Sequence, residues 1–261
     1  MDISIVIPVY QAQDSLAKVV DELQSTSFLK TKKWELILVD DFSSDTSFEI
    51  IQQKAEQYSN IVGISLHKNV GQHSASLAGI NEAKGEFLFT MDDDGEHPTE
   101  YLQILLESLE LNNADVAFAI PASSEKNIIR KTLSSGFKRT AKWCSDGYGD
   151  GSAFRLIRQS IYVQLQNHQA PFVFIDEILA WYTKNVVFER CQFLTSNKKS
   201  TYRPIRLLSL YNEIMYTYSS FPAQFLTKVG MFGSVISFCL GVFFIIKKLF
   251  FKTKLGFTSI T

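Results

Sequence analysis

The residues best equipped for chemistry are carboxylates. Asp92, Asp93 and Asp94 are consecutive, follow the apolar run at 86–91, and lead into Gly95, Glu96, His97 and Pro98. Three adjacent carboxylates repel one another unless a cation sits among them. Hard oxygen ligands favour Mg²⁺ or Mn²⁺, held together with substrate phosphates rather than in an all-protein cage. Asp92 and Asp94 are alternate residues and share a face in extended backbone, which assigns both to the metal and its phosphates. Asp93 points away, into the body or toward the rest of the substrate. Gly95 permits a tight turn, and Glu96 or His97 can add a ligand. A solvated acidic turn is the plain alternative. An EF-hand is excluded, because its ligand spacing and closing Glu are missing. A second acidic pair, Asp40-Asp41, and the segment Pro8-Val9-Tyr10 also close apolar runs.

These groups need elements to position them. Residues 3–9 form a continuous β-branched run, the mark of a strand buried on both faces. Further strands are expected at 34–39, 61–66, 86–91 and 115–120. Helical patterns fall at 15–23, from Asp45 or Thr46 to about Tyr58, at 73–83 and at 99–109. Strands alternating with helices at this rhythm imply an α/β fold with a mostly parallel sheet. In such a sheet ligands bind beyond the carboxyl ends of the strands. Pro8–Tyr10, Asp40-Asp41 and Asp92–Asp94 all fall there. One acidic pair after a strand would be an ordinary helix cap; several polar clusters on one edge are harder to dismiss.

The chain has 261 residues, 46% apolar and 20% charged, with a formal net charge of −1. That composition excludes a disordered chain, and the charge excludes nucleic-acid binding by bulk positive potential. Cys144, Cys191 and Cys239 form no CxxC pair, so neither a zinc site nor a disulfide framework is indicated, and a reducing cytosolic setting fits. All 27 acidic residues lie before Ile214, together with 21 of the 26 basic ones, whereas the rest of the chain carries five lysines and no acid. An acidic body with a basic, apolar tail suggests attachment to a membrane. Residues 229–246 carry no charge and, at about 1.5 Å per residue, reach about 27 Å, near the thickness of a bilayer core. With Lys247 and Lys248 snorkelling, a transmembrane helix is expected over 229–251; a buried core helix is the alternative. Gly230, Gly233, Ser234, Ser237 and Gly241 leave room for another helix, and so for a homo-oligomer. Residues 205–222 have amphipathic spacing and follow Lys198, Lys199, Arg203 and Arg206, which suits a helix on the membrane surface or one packed on the body. The start of the chain lacks a signal-peptide pattern, which keeps the body in the cytosol. A single crossing then puts the last lysines on the far side, against the positive-inside tendency. A re-entrant span, or a second apolar segment after Thr261, would resolve this. The expected organisation is a body over 1–200, a juxtamembrane segment over 201–228, the span over 229–251 and a short tail over 252–261.

Ile5-Val6-Ile7-Pro8-Val9-Tyr10, Leu38-Val39-Asp40-Asp41-Phe42-Ser43-Ser44-Asp45, Asn69-Val70-Gly71, and the D-x-D of Asp92 and Asp94 together resemble the family 2 glycosyltransferases, and Asn69 to Gly79 resembles a family loop and helix start beside the nucleotide. Within that family the chain is similar to the polyprenyl-phosphate sugar transferases, over about residues 3–230. The resemblance implies a GT-A fold, which is Rossmann-like with helices flanking the sheet. It implies a nucleotide diphosphate sugar as donor and a polyprenyl phosphate as acceptor. It places Pro8, Tyr10, Asp40, Asp41 and Asn69 beside the nucleotide, while Asp93 is left turned into the body or toward the sugar. The metal and diphosphate fall to Asp92 and Asp94, and Glu96 stands where the family usually has Gln. Asp150 to Leu156 resembles the D-x-G-D-F-R-L segment with Asp150 and Arg155 retained and Ala153 in place of the second Asp. Pro121-Ala122-Ser123 replaces a Gly-Ser-Arg, which leaves Arg130 and Lys131 to serve the phosphates. Phe174 to Glu177 resembles an acidic segment near the acceptor. There Glu177 or Asp176 is a base, or Asp176 is a helix cap. His73 is a positioning or packing residue more than a base.

These expectations describe a metal-dependent, inverting glycosyltransferase acting on a polyprenyl phosphate at the cytosolic membrane face, among membrane lipids. Asp94, Asp150, Arg155 and Glu177 are its candidate catalytic residues. Two other readings stay open: transfer to a glycan hydroxyl, which needs a true base, and a membrane-bound nucleotide-sugar binder without turnover.

Overall fold

The computed structural model describes residues 1–122, 152–167, 174–194 and 221–250. In chain order these form β1 (Ile3–Val9), α1 (Leu16–Ser25), a short α2 (Ser27–Lys30), β2 (Trp34–Asp40), α3 (Ser47–Gln57), β3 (Ile61–Ser65) and α4 (Gln72–Glu82). There follow β4 (Phe87–Thr90), α5 (Tyr101–Leu111), β5 (Val116–Pro121), β6 (Arg155–Arg158), α6 (Gln159–Gln166), α7 (Ile175–Tyr182), β7 (Val186–Cys191) and α8 (Phe221–Phe250).

The seven strands make one sheet in the order β3-β2-β1-β4-β6-β5-β7. All pairings are parallel except those of β6, which runs antiparallel to both β4 and β5. β1, β2, β4 and β5 bury both faces, which is why their sequences read as near-continuous apolar runs, whereas the edge strands β3 and β7 leave one face partly open. Along β1, Ile3, Ile5, Ile7 and Val9 face one core and Val6 the other; along β2, Leu36 and Leu38 oppose Ile37 and Val39. The first core is closed by Leu16, Val20 and Leu23 of α1, Leu29 of α2, Ile51 of α3 and Leu102, Leu105 and Leu109 of α5. The second is closed by Ala75 and Ile80 of α4, Tyr162 and Leu165 of α6, and Ile175, Ile178 and Leu179 of α7. The result is a three-layer helix–sheet–helix sandwich.

Two strands, β6 and β7, were not expected from the sequence. β6 matters for function. Because it is antiparallel, its first residue, Arg155, lies opposite Thr90, the last residue of β4. An arginine is thereby delivered to the edge where the parallel strands end.

The C-terminal helix is longer than the uncharged run in the sequence. Its window Phe225–Phe250 has a mean hydropathy of 2.4, and none of it is buried against the body. At about 1.5 Å per residue, 26 residues reach about 39 Å, more than a bilayer core. Pro222 sits in the first turn, where proline is tolerated. Lys228 lies inside the helix, where its long stem lets the ammonium reach an interface. By length and composition the helix can span a membrane.

Candidate active site

The carboxyl ends of β1, β2 and β4 stand side by side, since Val9 is in register with Asp40 and Val6 with Thr90. Past β1 and β2 the chain bends through left-handed backbone at Gln11 (φ 51°) and Phe42 (φ 60°). Such conformations are disfavoured away from glycine and persist where the surroundings enforce them. Here the two bends hold each other. Gln11 N donates to Ser43 Oγ at 3.1 Å, Ala12 N to Ser47 Oγ at 2.8 Å, and Ser43 N to the Asp40 carboxylate at 3.3 Å. Beside them Tyr10 and Phe42 are 49% and 58% exposed on adjacent strand ends.

Asp41 is buried, at 2% exposure, and its carboxylate is committed to backbone. Oδ1 accepts from Val70 N at 2.7 Å and Oδ2 from Gly71 N at 2.9 Å, while its carbonyl accepts from Asn69 Nδ2 at 3.2 Å. Asp41 therefore fixes the loop that opens α4. Asp93 does the same across β1 and β4: its Oδ2 accepts from Tyr10 N at 2.9 Å. Both aspartates hold the rim of the cleft together, and Asp93 is directed at β1.

The acidic turn itself is tightly organised. Gly95 adopts φ 74°, a left-handed conformation that glycine takes without strain, and Glu96 N folds back onto Asp94 Oδ1 at 2.9 Å. The Glu96 carbonyl accepts from Leu194 N at 2.9 Å, tying the turn to the segment after β7. Asp92 receives a hydrogen bond from Gln72 Nε2 at Oδ1, and its N–H donates to His97 Nδ1 at 3.1 Å. That bond uses the lone pair of His97 Nδ1 and leaves the ring proton on Nε2, 3.8 Å from Asp92 Oδ2. His97 stacks on Phe154 at 4.9 Å, and burial pushes its pKa down to about 4. It is a neutral support for Asp92, with no lone pair left for a metal. Burial, reinforced by the charges of Asp94 and Asp93, pushes Asp92 up to about 7, against the pull of Arg155. A side chain still 30% open to solvent in such a cluster is a site that a cation would relieve.

Arg155 enters from β6 and is 2% exposed. Its Nε donates to Thr90 Oγ1 at 2.9 Å, and the Thr90 hydroxyl in turn donates to the Ala153 carbonyl at 2.6 Å. Its Nη1 forms an ion pair with Asp176 in the first turn of α7. Asp176 is thus not the helix cap; Phe174 holds that position and makes no side-chain cap. Burial pushes the Asp176 carboxyl up, and the guanidinium opposes it. Glu177 is also buried, at 7% exposure. His73 packs on Phe174 with ring centres 4.4 Å apart, and burial together with the Arg155 charge pushes its pKa down to about 3. A neutral imidazole held so low is a packing group.

The sequence-predicted residues divide accordingly. Pro8, Tyr10, Asp40, Asp41, Asn69, Asp92, Asp93, Asp94, Glu96 and Arg155 all come to one edge of the sheet, and Asp176 joins them through Arg155. Asp150, Arg130 and Lys131 lie outside the described residues, as does most of the 205–222 segment. Thr90, Gln72 and the exposed Phe42 also stand at this edge; Phe42 and Gln72 lie inside segments that carry the family resemblance and Thr90 in an expected strand, but the sequence assigns none of the three a role. Among the described residues no group of three or more His, Cys, Asp or Glu side chains converges as a metal cage. Mg²⁺ and Mn²⁺ commonly bind through one or two carboxylates with substrate phosphates completing the shell, and Asp92 with Asp94 fits that donor set.

Comparison with known proteins decides the family. The model of "Glycosyl transferase family 2" matches residues 4–166, more than half of the chain. The chain belongs to the family 2 glycosyltransferases. This glycosyltransferase is 32% identical to the undecaprenyl-phosphate 4-deoxy-4-formamido-L-arabinose transferase of Photorhabdus laumondii over 254 residues, covering 95% of the chain and 78% of that relative. The transferase of the same name from Yersinia pestis is 30% identical over 255 residues, covering 95% and 77%. Among solved structures, the mannosyltransferase PcManGT of Pyrobaculum calidifontis with GDP-Man and Mn²⁺ superposes with a TM-score of 0.58 at 13% identity, over 78% of this chain and 59% of that one. S. aureus TarS 1–349 with UDP-GlcNAc gives 0.56 at 16% identity, over 81% and 66%. The glycosyltransferase therefore spans about two thirds or less of the length of these structures. At such identities they establish its GT-A-like fold.

Proposed function

We propose that this glycosyltransferase moves a sugar from a nucleotide diphosphate sugar to a polyprenyl phosphate at the membrane surface, with inversion at the anomeric carbon and with Mg²⁺ or Mn²⁺ at Asp92 and Asp94. The observation that carries the reading is the joining, in one chain, of a carboxylate-lined sheet edge to a helix of bilayer length. Relatives that align with 95% of the chain bear the name of undecaprenyl-phosphate sugar transferases. The joining has a physical logic: a polyprenyl phosphate stays in the bilayer, so the cleft has to be held at the headgroup plane.

The residues divide the work. Tyr10 offers an exposed aromatic face for the base, beside the loop that Asp41 and Asn69 hold in place. Pro8 and Asp40 shape the same end of the sheet. Asp92 and Asp94 would hold the metal, with Glu96 next to them; a bound divalent cation supplies Lewis-acid neutralisation of charge on the departing diphosphate. Arg155 sets a fixed positive charge behind Asp92, and Arg130 and Lys131 are assigned to the phosphates. Asp150 is assigned to orienting the acceptor. A phosphate nucleophile is anionic at neutral pH, so transfer proceeds without a strong general base. Asp176 is engaged with Arg155, and Glu177 is assigned to the acceptor side of the cleft. The catalytic body, residues 1–200, is placed on the cytosolic face, with 201–228 leading to the span and 252–261 beyond it.

The test compares undecaprenyl phosphate with undecaprenol as acceptor for the purified chain and a radiolabelled panel of UDP-, GDP- and TDP-sugars. Transfer to the phosphate alone supports the reading. Equal transfer to the alcohol, or transfer to a water-soluble glycan alone, overturns it in favour of a hydroxyl acceptor.

A further inference from the structure

Gln72 is an exposed, four-bond side chain on the first residue of α4, yet it is committed to Asp92 Oδ1. Ordering a glutamine side chain costs rotamer entropy, so the arrangement needs a cause. The cause is the backbone beneath it. The loop at 69–71 is fastened to Asp41 by three hydrogen bonds at 2.7, 2.9 and 3.2 Å. Gln72 follows directly, so its Cα is fixed relative to β2 while its amide reaches over to the end of β4. Asp92 needs such a partner. The last torsion of an aspartate is soft, and here Asp93 and Asp94 push on its charge. His97 holds the backbone N–H of Asp92 but stands 3.8 Å from the carboxylate, too far for a hydrogen bond. Among the hydrogen bonds described at this turn, the one from Gln72 is made to the Asp92 carboxylate itself.

We propose that Gln72 is a positioning residue for the divalent cation: by holding one oxygen of Asp92 it sets the orientation of the carboxylate that the metal meets. The proposal rests on the metal assignment of Asp92 made above. Partners that orient a metal-binding carboxylate usually contribute about 10–100-fold to metal affinity. Gln72 touches the ligand and not the reacting atoms, so its effect reads out in metal binding before it reads out in turnover.

The experiment titrates Mn²⁺ into the detergent-solubilised full chain with saturating UDP or GDP, following free Mn²⁺ by electron paramagnetic resonance. Gln72→Leu keeps most of the side-chain bulk and removes the donor; the position being exposed, the variant leaves the fold intact, which a melting curve checks. Mn²⁺ affinity about 10–100-fold weaker in Gln72→Leu, with an unchanged melting temperature in EDTA, supports the proposal. Gln72→Leu within twofold of the wild type overturns the positioning role and leaves the metal assignment standing. No Mn²⁺ binding by the wild type overturns both.

Discussion

Replacing Asp176 by Ala removes one half of an ion pair whose side chains are 3% and 15% exposed. The guanidinium left behind keeps Thr90 as a partner but loses its counter-charge in a buried setting. Breaking such a pair from one side typically costs about 3–5 kcal/mol. At about 2–4 °C per kcal/mol for a body of this size, the melting temperature should fall by about 6–20 °C. The double variant Arg155→Met/Asp176→Leu removes the charge with its partner and should recover much of that loss, because replacing a buried pair by apolar groups is often close to neutral. The assay is thermal unfolding of the detergent-solubilised chain, followed in parallel for wild type, both single variants and the double variant. A melting temperature for Asp176→Ala within about 2 °C of the wild type would refute the reasoning, because a shift that small corresponds to about 1 kcal/mol or less. A double variant less stable than either single one would refute it from the other side.

Three further expectations follow from the same geometry. The Asp92 carboxyl, raised from 3.8 to about 7, favours the folded state below its unfolded value, and that contribution is lost as the pH climbs through about 7. The metal competes with that proton, so Mn²⁺ affinity should drop by up to about tenfold per unit below pH 7 and level off above it; a flat profile between pH 5.5 and 8 would contradict the assignment. At the opposite end of the sheet, Glu35 Oε1 accepts from Ser4 Oγ at 2.6 Å and from Lys84 N at 2.9 Å. Glu35→Ala should destabilise by about 1–3 kcal/mol in urea unfolding. Gly85→Ala, whose Cβ would lie 2.5 Å from Ser4 N, should be worse still. For the C-terminal helix, Val242→Asp with Phe243→Asp adds about 2.5–3.5 kcal/mol per charge at the centre of a span. The variant should move from the carbonate-resistant membrane pellet to the soluble or aggregated fraction.

β1, β2, β4 and β5, buried on both faces, and the helices between them were legible because burial leaves an apolar signature, and the edge strand β3 was legible by its β-branched Ile61, Val62 and Ile64. β6 and β7 were not. β6 is four residues with an arginine at each end, and β7, an edge strand with exposed Phe188 and Arg190, reads Val-Val-Phe-Glu-Arg-Cys. Neither carries a run long enough to stand out, and both are strands because neighbours supply their hydrogen bonds. At the candidate site, the types and spacing of Asp40, Asp41, Asp92 and Asp94 pointed to one sheet edge, and the structure brings them together there. Their partners were not legible. That Asp41 and Asp93 accept backbone N–H groups depends on loops 29 and 83 residues away. The pairing of Arg155 with Asp176 depends on β6 running antiparallel, which no local pattern announces. Gln72 looked like one polar residue among several at a helix start.

The most direct test of the central claim is a partition measurement. Purified chain is incubated with Mn²⁺, undecaprenyl phosphate in detergent and each labelled nucleotide sugar, and the label is counted in the organic and aqueous phases. The account predicts organic-phase label with one donor, lost on adding EDTA and lost in Asp92→Ala. Organic-phase label that persists in both conditions would contradict the metal site. Label that never leaves water with any donor, despite measurable donor binding, would contradict the lipid-phosphate acceptor.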